Sequence, residues 1–200
     1  MSCTTWREKT VNFDPRSVID CIWIILLIVW CLAALRASPA ARRQPIAARL
    51  AHGLPLAVCG VLLFRSTVAA GPLGRRFAAD TAFVGWTGAM ITALGVAFAI
   101  AARFFLGKNW SGWVTVKKGH LLIRSGPYAV VRHPIYSGVL LGILGTAIVV
   151  GEVRGLVAVA FAALGLRLKS LQEERFMEEE FGSEYRDYKR RVKAMIPLVW

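Results

Sequence analysis

Residues 17–35, "SVIDCIWIILLIVWCLAAL", hold one charge in nineteen positions. A helix needs about 20 predominantly apolar residues to cross the hydrocarbon core of a bilayer, and this stretch suffices. Four further candidates follow it: 46–64, 82–106, 135–150 and 155–168. The second is weaker, because it contains Arg49, His52 and Pro55, and the third ends in "AARFFLGKNW". The last two are short, and only "GEVRG" separates their cores, so they read as a tight helical hairpin. The expected fold class is an all-α integral membrane protein: five transmembrane helices, the last two a hairpin, then an amphipathic helical C-terminal tail. Residues 1–200 form one membrane domain in this reading.

Composition agrees. Hydrophobic residues make up 56% of the chain and charged residues 18%, against about 25% charged in a typical soluble domain. Mean hydropathy is +0.53. Gly138 and Gly142 are four apart, as are Ala158 and Ala162, a spacing that lets helix backbones approach closely in lipid. These small residues are expected to build the hairpin and to have no chemical role.

The net charge of +13 falls between the apolar blocks. That is the bias of Lys and Arg toward cytoplasmic loops and anionic headgroups. It is not a nucleic-acid footprint, since no basic-aromatic stripe or reader motif accompanies it. With five spans, residues 36–49, 103–134 and 167–200 share one side and hold 18 of the 25 Lys and Arg. The richer side is expected to be cytoplasmic, with the N-terminus opposite. The first apolar block begins near residue 17 and runs longer than the apolar region of a cleaved signal peptide. Cys3, Cys21, Cys31 and Cys59 form no CxxC pair and read as free thiols, neither a disulfide frame nor a zinc site.

Common enzyme signatures are missing. No GxGxxG follows a strand, and there is no P-loop and no GxSxG elbow. His52, His120 and His133 lack metal-ligand spacing, so no metal site is expected. What remains is a polar cluster between apolar blocks, from "HLLIRSGPYAVVRHPIY" (120–136) and "RLKSLQEE" (167–174). Pro127 and Pro134 disfavour a regular helix just before themselves, so this connector is a shaped loop. Pro134 suits the first turn of the next helix. That places His133 at a positively polarised helix start, suited to a ligand carboxylate. Glu173 and Glu174 leave the membrane with the fifth span and suit an ammonium or ribose hydroxyls. In the tail, Phe176, Phe181, Tyr185, Tyr188 and Val192 recur near the helical period with charges between. Gly182 is expected to end one helix, Ser183 to cap the next, and Pro197 to end helical structure.

"HLLIRSGPYAVVRHPIYSG", the short hairpin and "EERFMEEEFGSEYRDYKRRVKAMIP" together closely resemble the isoprenylcysteine carboxyl methyltransferase family. That family belongs to a wider group of integral-membrane methyltransferases, which includes phospholipid N-methyltransferases. The resemblance covers roughly residues 104–197, and the first spans carry no matching motif. It implies three N-terminal spans (1–106), a cytosolic cofactor loop (107–134), a helical hairpin (135–168) and a cytosolic tail completing the cofactor pocket (169–200). The implied cofactor is S-adenosyl-L-methionine. The matching cofactor positions are His120, Leu121, Leu122, Ile123, Tyr128, His133, Pro134, Ile135, Tyr136 and Glu173, with Glu174 its neighbour. The family's substrate-associated arginine, four residues before that glutamate, is Lys169 here, and Arg167 lies two residues earlier. Lysine lacks arginine's planar fork for a carboxylate.

In chemical terms, Leu121, Leu122 and Ile123 suit the adenine, Glu173 the ribose or ammonium, and His133 the carboxylate. Tyr128 or Tyr136 suits the sulfonium. Methyl transfer is an in-line displacement, so positioning dominates. A carboxylate acceptor needs no general base, and Arg132, Arg167 or Lys169 are candidates to hold it. The expected partner is a lipidic or lipidated acceptor. Three other readings stand beside carboxyl methylation: a phospholipid or lipid-amine N-methyltransferase, an NADPH-dependent membrane reductase, and a non-catalytic assembly or transport protein in which Arg49 and His52 mark a pathway.

Overall fold

The computed structural model describes residues 14–35, 45–107 and 122–196. Its α-helices are α1 (Pro15–Leu35), α2 (Ile46–Phe64), α3 (Ala82–Leu106), α4 (Pro127–Val130), α5 (Pro134–Val150) and α6 (Val153–Arg191). Two 3-10 turns, Ser66–Val68 and Gly71–Gly74, lie between α2 and α3. The fold is all-helical: no strand occurs among the described residues. By length and composition α1, α2, α3 and α6 can cross a membrane; α5 is apolar but has 17 residues. The predicted ranges for α2 and α3 coincide with the observed ones, and α1 starts two residues early, at Pro15. A face such as Ile24, Leu27, Ile28 and Leu32 on α1, each more than half exposed, is an aggregation liability in water and ordinary in lipid.

The closest helix pair is α3 with α5. A methyl group added at Gly95 would lie 2.6 Å from the Gly138 carbonyl oxygen, and one at Gly138 2.6 Å from the Ala99 amide nitrogen. Gly142 faces Trp23 of α1 and Val96 of α3. These glycines therefore serve the contact with α3, not the α5–α6 hairpin expected from sequence. Spacing of small residues marks a close approach but does not say which helix approaches. Gly151 and Glu152 alone separate α5 from α6, and there Gly155 packs on Ala147. Ala158 and Ala162 join Cys59, Leu62, Ile143 and Ala147 in one core cluster. The Thr146 hydroxyl and the Trp23 indole find partners inside the bundle, as lipid favours. Thr146 Oγ1 donates to the Gly142 carbonyl (2.9 Å) and accepts from Trp23 Nε1 (3.0 Å).

α6 runs on past residue 168, where a separate tail is expected from sequence. Its helical geometry breaks only at Gly182 (φ 53°, ψ −122°), as that glycine's position predicts. The apolar pattern fades at Arg167, but the Leu, Lys, Gln and Glu that follow are good helix formers. A buried stripe at i+4 spacing therefore runs unbroken through Ala158, Ala162, Leu166, Ser170 and Glu174. Beyond Gly182, Tyr185 and Tyr188 are buried, and the chain then turns back to bury Ala194 and Met195. Pro197 lies outside the described residues.

Two ends of the bundle result. Gln172 Nε2 donates to the Ala48 carbonyl (3.2 Å), and the Phe105 ring stacks on Tyr128 at 6.4 Å. The start of α2, the end of α3, the start of α5 and the lower half of α6 thus gather together. At the other end, buried Arg154 donates to the carbonyls of Leu62 (2.7 Å) and Arg65 (3.2 Å) and to Glu152 Oε2 (2.6 Å). It satisfies carbonyls that the end of α2 leaves without helical partners.

Candidate active site

The connector is pinned from both sides. Gly126 (φ 58°) precedes Pro127, which opens the single turn of α4. Val131 then leaves in extended form and pairs in parallel with Lys193. The Arg132 amide donates to the Lys193 carbonyl (2.8 Å) and the His133 amide to that of Ala194 (2.9 Å). Ser137 Oγ donates to the Met195 carbonyl (2.6 Å), and the Tyr188 hydroxyl to the Tyr128 carbonyl (2.5 Å). Pro134 starts α5 where a missing N–H costs little. The side chains of Arg132, His133 and Tyr136 are thereby held toward α6.

There they meet both glutamates. Glu174 Oε1 accepts from Arg132 Nη2 (2.6 Å), Arg132 Nε (3.1 Å) and His133 Nε2 (3.2 Å). Glu174 Oε2 lies 3.0 Å from Lys189 Nζ. Glu173 accepts from the Tyr136 hydroxyl and lies 3.5 Å from His133 Nδ1. The rings of His133 and Tyr136 stack at 5.4 Å, only 5° from parallel, and Lys169 Nζ sits 5.3 Å over the Tyr136 ring. Burial pushes the His133 imidazole down, but the two flanking carboxylates outweigh it and leave its pKa above the ordinary value. Burial raises the Tyr128 hydroxyl.

The two glutamates are not equivalent. The Glu174 side chain is 2% exposed and that of Glu173 26%. Glu174 lies on the packing stripe of α6 and neutralises Arg132, itself 7% exposed. Arg132 also donates to the carbonyls of Lys189 and Val192, so its guanidinium is engaged within the fold. Glu173, one position earlier, is the more exposed of the two.

The start of the connector, the end of α3 and α6 around Gly182 enclose a cleft of about 890 Å³, lined by Phe105, Leu122, Ile123, Arg124, Ser125, Phe181 and Glu184. Small-molecule sites commonly span about 300–1,000 Å³. Arg124 Nη2 and Glu184 Oε1 pair at 2.7 Å. Leu122 and Ile123 therefore line the cleft, Tyr128 stands behind Phe105, and Ile135 and Arg167 are half-buried. The Arg167 carbonyl accepts from Ser170 Oγ (2.9 Å). His120 and Leu121 lie outside the described residues. Sequence reasoning missed Lys189 and the returning segment 192–195, whose contacts are long-range and leave no local signal.

The family model described as phospholipid methyltransferase matches residues 83–184. That range is just over half of the chain and takes in α3, the connector, α5, and α6 past Gly182. The chain belongs to the phospholipid methyltransferase family. Arg132, His133, Tyr136, Lys169, Glu173 and Glu174 all fall within the family region. The protein-S-isoprenylcysteine O-methyltransferase of Mus musculus is 33% identical over 116 residues, covering 56% of this chain and 41% of that protein. The probable protein-S-isoprenylcysteine O-methyltransferase of Oryza sativa subsp. indica is 30% identical over 122 residues, 58% of this chain and 63% of that protein. The cobalt-zinc-cadmium resistance protein CzcN of Cupriavidus metallidurans is 36% identical over 106 residues, 52% of this chain and 46% of that protein. The chain thus spans about half the length of the curated relatives it matches.

Proposed function

We propose that this chain is a methyltransferase that uses S-adenosyl-L-methionine to esterify the carboxylate of an isoprenylcysteine-like acceptor at a membrane surface. One observation carries the reading: Arg132, His133 and Tyr136 at the end of the connector and both glutamates of α6 converge within hydrogen-bonding distance of one another. Relatives named as isoprenylcysteine O-methyltransferases support the acceptor class. We read α5 as a fifth span, since its glycines interlock with α3 over much of its length. The connector and α6 end then face the cytosol, on the side with more Lys and Arg.

The residues present suit the cofactor. Phe105, Leu122, Ile123 and Phe181 offer apolar faces for a flat adenine. Glu173 is the more exposed acceptor for ribose hydroxyls or an ammonium, and His133, whose pKa the two carboxylates hold above its ordinary value, suits a carboxylate. Tyr128, Pro134, Ile135 and Tyr136 complete the proposed wall, and the family's matching positions His120 and Leu121 lie outside the described residues. When bound, S-adenosyl-L-methionine supplies an electrophilic methyl on sulfur. Glu174 and Arg132 fix His133 and the α5 start, and Lys169 and Arg167 face the acceptor's negative charge. A carboxylate is already ionised at neutral pH, so alignment and water exclusion suffice without a general base. The acceptor's apolar tail stays among the helices. The test is incubation of purified protein with methyl-labelled S-adenosyl-L-methionine and N-acetyl-S-farnesyl-cysteine. A base-labile labelled ester supports the reading; none, with cofactor bound, rejects this acceptor. The family's description as phospholipid methyltransferase favours lipid-amine N-methylation as the second reading. Labelled product from phosphatidylethanolamine vesicles distinguishes it.

A further inference from the structure

Two charged residues line the cleft, and the proposed reaction gives neither of them a part. One wall is residues 122–125 of the connector; the other is Phe181 and Glu184 of α6, with Phe105 from the end of α3 between them in the lining. Two glycines shape these walls. A methyl added at Gly126 would lie 2.5 Å from the Phe105 ring, so that glycine lets the ring pack against the connector. At Gly182 an added methyl would meet nothing within 4 Å. Its φ of 53° alone calls for glycine there. That break falls between Phe181 and Glu184 and sets the angle at which Glu184 reaches the connector. Arg124 Nη2 and Glu184 Oε1 then meet at 2.7 Å, their side chains 45% and 50% exposed. The bond joins the two walls. The volume of about 890 Å³ exists with the pair formed, so the pair does not have to break for the cleft to be filled. Over an empty cleft, water and salt screen such a pair and it contributes little. A flat organic ligand against Phe105, Leu122, Ile123 and Phe181 displaces that water. Charges attract more strongly as the surrounding dielectric falls. The pair therefore holds harder over a filled cleft than over an empty one.

We propose that Arg124 and Glu184 are positioning residues that clamp the cofactor cleft: their ion pair ties the connector to α6 beyond Gly182 and slows the escape of bound S-adenosyl-L-methionine. This rests on the methyl-transfer reading and adds to it a determinant of how long the cofactor stays. The pair acts through the two walls it joins. It touches no reacting atom, and no bond of the reaction is made or broken there.

The test measures release of methyl-labelled S-adenosyl-L-methionine from the full chain in detergent. It compares the parent, Arg124→Gln, Glu184→Gln and the charge-swapped chain carrying both Arg124→Glu and Glu184→Arg. At low salt each single variant is expected to release the cofactor about two- to fivefold faster than the parent. Tm falls by no more than about 4 °C in either, because the pair is exposed. The charge-swapped chain recovers most of the parent's slow release, since the attraction survives exchange of its ends. Salt at about 1 M, where screening acts within about 3 Å, narrows the gap between the parent and the single variants. Release rates equal in the parent and both single variants overturn the clamp alone. So does a charge-swapped chain as fast as the single variants, or a gap that salt leaves untouched. A Tm loss far beyond about 4 °C in the single variants overturns it as well, since the pair then serves the fold. A parent that binds no cofactor overturns the methyl-transfer reading and the clamp with it.

Discussion

Glu173 and Glu174 are adjacent and identical in type, but the structure gives them separate duties that truncation resolves. Glu174→Ala leaves the Arg132 guanidinium, 7% exposed, without its carboxylate, and takes an acceptor from His133 and Lys189 as well. Breaking a buried ion pair by removing one partner costs about 3–5 kcal/mol. In a chain of 200 residues each kcal/mol moves Tm by about 2–4 °C, so the expected loss is about 6–20 °C. Glu173→Ala removes a side chain that is 26% exposed and whose main bond is to the Tyr136 hydroxyl. Its cost is about 1 kcal/mol, or about 2–4 °C. The assay is thermal unfolding of both variants in one detergent, followed by tryptophan emission. Two shifts equal within error, or a larger one for Glu173→Ala, would refute the division of labour argued from burial.

Three further outcomes follow from the same reasoning. Gly95→Ala places a methyl against the Gly138 carbonyl and is expected to cost about 1–3 kcal/mol through overpacking, read as a lowered Tm. Arg154→Met strips the α2 carbonyls of Leu62 and Arg65 of their donor and leaves Glu152 unpaired. It is expected to lower Tm by about 4 °C or more while leaving the cofactor Kd unchanged by calorimetry. The third outcome concerns pH. The folded pKa of His133 lies above its ordinary value, which is about 6.5. The protonated ring therefore stabilises the fold fully below about pH 6.5, and that contribution is lost as pH rises through the folded value. Tm of the parent is expected to fall as pH rises through that folded value, and His133→Gln to flatten the profile.

Much of the scaffold was legible because membrane helices declare themselves locally. The bounds of α2 and α3 follow from hydropathy alone, and the start of α5 from Pro134. Gly182 announced its break because a residue of either helical piece would be strained at its φ of 53°. The residues brought together at the mouth were legible only through a motif. Nothing local says that Arg132 meets Glu174 across 42 positions, or that 192–195 returns to pair with the connector. The partner of Gly138 was misjudged for the same reason, and α2 was a weaker candidate span because it contains Arg49, His52 and Pro55. Its contacts with Gly165 and Gln172 hold that helix along α6.

The central claim is that the connector and α6 enclose one methyl donor. Calorimetric titration of S-adenosyl-L-methionine into the detergent-solubilised parent and Glu173→Ala tests it most directly. The account predicts one site per chain in the parent, and affinity about tenfold or more weaker in the folded variant. No binding by the parent, or equal affinity in the two proteins, contradicts it.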